Sequence, residues 1–169
     1  YVDENQVAPY SYSGNQIVRM LQRCSAAGGN LLLNIGPHAD GSVPAEAVEP
    51  MKKVGAWLRE NGEAAYGRKK AYAKTVYVWN YIWPVTGEMA FGGYRKAPRR
   101  ISLLSTGESI DFEMDGHRIL LKNLPKASPD RQLGIAVLKM EFDEPFDYCY
   151  GSYYPQVHEG EDLSEGLGN

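Results

Sequence analysis

The sequence predicts an α+β chain: a helix–strand–helix fragment of an α/β domain, followed by a small antiparallel β-sandwich. Three observations predict it. Gly28-Gly29 leads into the apolar run Asn30-Leu31-Leu32-Leu33-Asn34-Ile35, which stops at Gly36-Pro37 and an Asp40-Gly41 turn. Apolar residues on both alternate faces describe a strand buried on both sides, as in a parallel sheet covered by helices. Amphipathic helical patterns flank that run on either side. From Ala73 onward the apolar period changes from helical to alternating, and short strands separated by turns follow.

Bulk properties narrow the classes. The 169 residues suit one domain, or a small domain with an appendage. A hydrophobic content of 43% with 23% charged residues is that of a globular protein. The net charge of -3 gives no electrostatic basis for binding nucleic acid or an anionic membrane. The cluster Arg95, Lys96, Arg99 and Arg100 is too short to alter that and reads as a solvated loop. Cys24 and Cys149 lie far apart and imply no disulfide framework; Cys24 falls on the apolar side of a helical pattern, as a small hydrophobe would. No run approaches the roughly 18 apolar residues of a membrane span. The opening Tyr1-Val2-Asp3-Glu4 has no initiator Met, no signal-peptide charge and no apolar core. The chain is therefore expected to be a soluble piece of something longer, with its compartment unspecified.

Taken in order, residues 1–12 are polar and aromatic without a period and read as a loop. Ser13 stands three residues before Gln16, the spacing of a capping box. Ile17, Met20, Leu21 and Cys24 recur at helical intervals, with Arg19 and Gln22 on the other face. Gly28-Gly29 supplies a left-handed stop, giving a helix of about 14 residues that feeds straight into the buried strand. After the strand, Pro37-His38-Ala39-Asp40-Gly41-Ser42 reads as a tight loop. A second helix carries Val48, Met51, Val54, Trp57 and Leu58 on one stripe and is expected to end at Asn61-Gly62. Pro50 inside it would remove a hydrogen bond and clash with the preceding turn, costing about 3 kcal/mol. The regular helix is therefore expected to begin near Glu49-Pro50 or to kink there.

In the second half, Tyr77, Trp79, Tyr81 and Trp83 alternate on one face of a strand and Val76, Val78 and Ile82 on the other. Further strands are expected at 101–104, 110–114, 118–121 and 133–142, with Asp115-Gly116 as a hairpin signal. The final segment holds Tyr148, Tyr150, Tyr153 and Tyr154 and then an acidic, Gly-rich end that reads as frayed. The expected organisation is an incomplete α/β portion over 1–67, a β-sandwich over 68–145 and a tail over 146–169. One strand and two helices cannot close an α/β core, so the remainder of that domain is expected upstream.

The run Gly29-Asn30-Leu31-Leu32-Leu33-Asn34-Ile35-Gly36-Pro37, with Asp40-Gly41 and Pro44, resembles the end of the catalytic barrel in α-L-fucosidases of glycoside hydrolase family 29. The likeness continues through Gly55-Ala56-Trp57-Leu58 and Asn61-Gly62-Glu63-Ala64-Ala65-Tyr66-Gly67, where that family usually reads Gly-Glu-Trp-Leu and Asn-Gly-Glu-Ala-Ile-Tyr-Gly. Val76-Tyr77-Val78-Trp79 with Trp83-Pro84 looks like the first strand of its C-terminal β-sandwich. Ile101-Ser102-Leu103-Leu104 with Gly107, and Val137-Leu138-Lys139-Met140-Glu141-Phe142, fit later ones. The resemblance spans roughly residues 10–142; Pro50 and His38 depart from the common pattern.

What the resemblance implies is a fold and an activity. Residues 30–35 would be the last strand of a (β/α) barrel and the flanking helices part of its outer ring. The parent would remove terminal α-L-fucose from glycans with retention, through an aspartate nucleophile and a carboxylic-acid donor. Such chemistry needs two carboxyl groups about 5–5.5 Å apart across the anomeric carbon. The family's nucleophile, acid and fucose-gripping histidines lie earlier in its sequence and map onto no residue here, so this chain alone is expected to be inactive.

The remaining candidates each have a plainer reading. Asp40 sits at the C-terminal end of the barrel strand, the face where barrel active sites are built, yet Asp-Gly is first a turn-forming pair. Asn34 is a candidate for hydrogen-bonding a ligand, with support of the loop as its plainer role. His38 is a candidate to line a subsite or is simply an exposed loop histidine. Tyr77, Trp79, Tyr81 and Trp83 form a row on which a sugar would stack, or an interdomain core against the barrel helices. His38, His117 and His158 are scattered without metal-ligand spacing, and no cofactor is expected. The partners implied are a fucosylated glycan, through the parent enzyme, and an upstream barrel segment or another copy to pair Leu31-Leu32-Leu33-Asn34-Ile35. Two other functions stand beside the hydrolase: a non-enzymatic carbohydrate-binding module and a purely structural brace.

Overall fold

Ser13 opens the first helix, because it satisfies free donors of the first turn. Its side chain accepts the Gln16 backbone N–H while the Gln16 side chain accepts the Ser13 N–H at 2.8 Å, the reciprocal capping box that the spacing predicts. The computed structural model of the chain describes residues 12–66 and 74–145. Expectations that fall elsewhere, namely the loop over 1–11, the boundary at Gly67, Cys149, His158 and the tail tyrosines, lie outside the described residues.

Helix α1 (Gly14–Ala26) ends as its glycines dictate. Gly28 adopts φ 71°, its N–H donates to the Ser25 carbonyl and the Gly29 N–H to the Cys24 carbonyl, a Schellman closure. Helix α2 (Ala45–Tyr66) is longer than its sequence signals suggest. It starts directly after Pro44, whose carbonyl accepts from Ala47 and Val48, and it holds Pro50 within it. It also runs through Asn61-Gly62. Asn61 turns inward and donates its side-chain amide to the Trp57 carbonyl one turn earlier, so it continues the helix as a buried residue. Gly62 is not left-handed and its Cα faces the Tyr66 ring. A start near Glu49-Pro50 and an end at Asn61-Gly62 are thereby corrected; the other expectation, a kink, concerns a proline that does stand inside the helix.

The strands are β1 (Thr75–Asn80), β2 (Met89–Gly92), β3 (Arg100–Leu103), β4 (Phe112–Asp115), β5 (Arg118–Leu121) and β6 (Ala136–Glu141). They form two three-stranded antiparallel sheets, in the orders β1-β6-β3 and β2-β5-β4. Val76, Ile101, Leu103, Leu138 and Met140 of the first sheet pack on Ile119 and Leu121 of the second. The opposite face of the first sheet is covered by α1 and α2, where Val137, Tyr77 and Trp79 meet Ile17, Val18, Val54 and Trp57. The described residues thus make three layers: helices, sheet, sheet. Strand β6 is central and covered on both sides, which explains its continuous apolar start, Ala136-Val137-Leu138.

Several expectations shift within this frame. Strand β2 was not foreseen, because Met89-Ala90-Phe91-Gly92 is short and hemmed by glycines; it exists by pairing with β5. The last strand is Ala136–Glu141 rather than 133–142. The buried Asp130 carboxylate accepts the backbone N–H groups of Gln132, Leu133 and Ile135 and shapes residues 130–135 into a loop instead. Tyr77, Trp79 and Tyr81 face the helices, but Trp83, beyond the end of β1, packs into the core between the sheets and donates its indole N–H to the Pro125 carbonyl. The hairpin is as expected: Asp115 pairs with Arg118 across Gly116-His117, with Gly116 at φ 59°.

A polar pin links α2 to the first sheet. Glu63 near the end of α2 accepts from the Tyr77 hydroxyl at 2.5 Å and from Lys139 Nζ at 2.6 Å. The lysine hydrogen bond, then that of the tyrosine, hold the Glu63 carboxyl below the usual carboxylate value. A carboxyl depressed in the folded state stabilises above its ordinary pKa, and that contribution disappears as pH falls through the folded value. The Glu63→Gln variant should therefore melt below the wild type at pH 7, with the gap closing as the pH is taken to 3. Half the Glu63 side chain is solvated, so the gap is expected to be small. Thermal melts across that range check it.

Candidate functional site

The chain between the two helices is where a barrel strand was expected, and there the structure departs from the reading. Residues 30–37 belong to no strand or helix, and none of their backbone groups bonds to another described residue. The physical reason follows from the kind of strand predicted. A parallel central strand draws all of its ladder bonds from neighbours, and the described residues hold no parallel neighbour. What survives is the alternation of faces. Leu31 and Leu33 are half-buried, and Leu33 packs on the α1/α2 core. Leu32 is 95% exposed and Asn34 is exposed beside it. Ile35, Val43 and Met51 add further exposed apolar surface.

The loop that follows is built by Asp40. Its Oδ1 accepts the Ser42 backbone N–H at 2.9 Å and the Ser42 hydroxyl at 2.7 Å. The His38 N–H donates to the Ser42 carbonyl and the Gly41 N–H to the His38 carbonyl, closing a tight turn with Gly41 at φ 85°. The Ser42 side-chain bond first, then its backbone bond, lower the Asp40 pKa, so the group is a settled acceptor and a poor proton donor. His38 and Asp40 thus share one exposed turn. Asn34 stands apart from it and bonds to no other described residue; the side chain gives the loop no support.

The aromatic row is occupied otherwise. The Trp79 ring lies 5.0 Å from Trp57, tilted at 45°. Tyr77 is held by Glu63. Tyr81 donates to Gln22 Oε1 at 3.0 Å, with the Arg19 guanidinium 3.9 Å over its ring. Burial pushes the Tyr81 hydroxyl up to about 12, against the opposing pull of Arg19 and Arg23, so the phenol stays a donor. Gln22 was placed on the solvent face of its helix and is instead buried as that donor's acceptor. Sequence reasoning also missed Glu63 and Lys139 as a cross-layer pair. The signal available was weak: a Lys two residues after the helix-facing Val137 of β6, calling for an anion opposite it. Cys24 is free and half-buried.

Hydrogen bonds pull the carboxyl groups of Asp40, Glu63 and Glu144 down, whereas a proton donor at neutral pH needs its pKa raised. Among the described residues no three His, Cys, Asp or Glu side chains gather to hold a metal ion, and no helix is long and apolar enough to cross a membrane.

Comparison with known proteins places this arrangement. The family model described as alpha-L-fucosidase matches residues 2–63. Human plasma alpha-L-fucosidase is 30% identical over 132 residues, covering 64% of this chain and 28% of that protein. The rat plasma enzyme is 33% identical over 132 residues, covering 67% of this chain and 29% of that protein. Among solved structures, alpha-L-fucosidase isoenzyme 1 from Paenibacillus thiaminolyticus superposes with a TM-score of 0.67 at 23% identity, over 78% of this chain and 35% of that one. The Thermotoga maritima alpha-fucosidase in complex with fucose gives 0.66 at 26% identity, over 82% and 36%. The chain spans less than a third of the length of the curated relatives it matches. Its two helices and antiparallel sheets match the C-terminal part of the fucosidase structures, and the chain belongs to the α-L-fucosidase family.

Proposed function

We propose that this chain is the C-terminal part of a retaining α-L-fucosidase-type glycoside hydrolase that removes terminal α-L-fucose from glycans. In this reading residues 1–67 close the catalytic barrel, 68–145 form the accessory β-sandwich, and 146–169 are a tail. Residues 31–35 supply the final barrel strand, pairing with strands of an upstream segment. The observation that carries the reading is the state of that stretch. Leu33 packs it against the α1/α2 core, while its ladder bonds are unmade and Leu32 is bare.

The nucleophile and the acid come from the upstream barrel; of the carboxyl groups near the closing strand and the end of α2, Asp40 is engaged in its turn with Ser42 and Glu63 in bonds to Tyr77 and Lys139. Asn34, His38 and Asp40 then lie at the C-terminal mouth of the closing strand, where the sugar is bound. A carbohydrate-binding module is not favoured. Tyr77, Trp79 and Tyr81 are committed to the helices and Trp83 to the core between the sheets, which suits a brace between barrel and sandwich.

An aryl α-L-fucoside tests this. The purified chain alone should release no aryl alcohol above the uncatalysed rate, and the longer protein that includes the barrel should turn it over. Hydrolysis by the chain alone would overturn the division of labour, and an inactive longer protein would overturn the assignment of substrate.

A further inference from the structure

We infer that Asn34, and neither His38 nor Asp40, contacts the fucosyl unit from this chain, through hydrogen bonds between its amide and a ring hydroxyl. This rests on the proposed fucosidase reading and assigns a residue within its site. The first support is the alternation of faces. In a barrel strand, successive side chains point to the helices and to the interior in turn. Leu33 is fixed on the helix side by the α1/α2 core, so Leu32 and Asn34 take the interior side; both are exposed. Of the two, Asn34 is nearer the C-terminal end, where barrel sites are built.

The second support is hydrogen bonding. An interior amide must find partners once water is excluded. Asn34 bonds to no other described residue, and the turn after it is complete without it, because Asp40 and Ser42 close that turn between themselves. His38 and Asp40 are committed to a turn that follows Gly36-Pro37, outside the alternating stretch. A carboxamide carries both donors and an acceptor, which matches a sugar hydroxyl that is itself donor and acceptor.

The test uses the longer enzyme that contains this chain, with aryl α-L-fucoside and its 2-, 3- and 4-deoxy analogues. Asn34→Ala should lower kcat/KM on the parent fucoside roughly 10- to 100-fold, leave the melting temperature unchanged, and cost little further on the one deoxy analogue that lacks the contacted hydroxyl. Asn34→Gln should recover part of the loss. An equal penalty on every analogue, or unchanged kinetics, overturns the inference while the fucosidase reading stands. A wild-type enzyme without fucosidase activity overturns both.

Discussion

Replacing Trp57 by alanine is expected to remove about 3–5 kcal/mol of stability from this chain. Trp57 is fully buried, donates its indole N–H to the Ile135 carbonyl at 2.7 Å, and lies against the Trp79 ring. Truncation would open a cavity between α2 and the first sheet and leave the Ile135 carbonyl without its donor. Domains of this size have only about 5–15 kcal/mol in total, so the variant should be poorly folded at ambient temperature. Trp57→Phe, which keeps most of the ring and loses the hydrogen bond, should cost about 1–3 kcal/mol. Urea unfolding followed by circular dichroism at 222 nm gives both numbers. A loss under 1 kcal/mol for the alanine variant would mean that the helices do not depend on the sheet for their burial.

That dependence also marks what could be read from the sequence and what could not. Local signals were legible. The Ser13/Gln16 box, the Gly28-Gly29 closure and the Gly116 turn are short-range chemistry and appear in the structure at their places. So was the alternation of Val76 and Val78 against Tyr77 and Trp79, since a strand has only two faces. Signals that depend on a distant partner were misread. Asn61-Gly62 looked like a helix end, but the buried Asn61 bonds back to Trp57. Gln22 looked solvent-facing, yet Tyr81, distant in sequence, claims it. Strand β2 has too little pattern of its own and exists because β5 pairs with it. Of the candidate site, the turn chemistry of Asp40 was readable and the freedom of Asn34 was not, because both readings of an Asn near a strand end look alike until the loop's bonds are known.

The misread element that matters most is the apolar run after Gly29. Its sequence is that of a strand buried on both faces, and its structure here is an irregular segment whose Leu33 meets the helices while Leu32 is exposed. These agree if the segment is a barrel strand whose neighbours lie in another part of the protein. Backbone amides that make no ladder bond exchange with solvent at close to the unstructured rate, and amides in a central strand open only with the fold around them. Hydrogen–deuterium exchange at Leu31, Leu32, Leu33, Asn34 and Ile35 is therefore the most direct measurement. In the chain alone these amides should exchange within ~10-fold of an unstructured peptide, while β6 is protected. In the longer protein containing the upstream barrel they should slow by ~1,000-fold or more, which corresponds to opening free energies of about 4 kcal/mol. Equal and rapid exchange in both would contradict the account, since residues 31–35 would then be a surface segment and no part of a barrel.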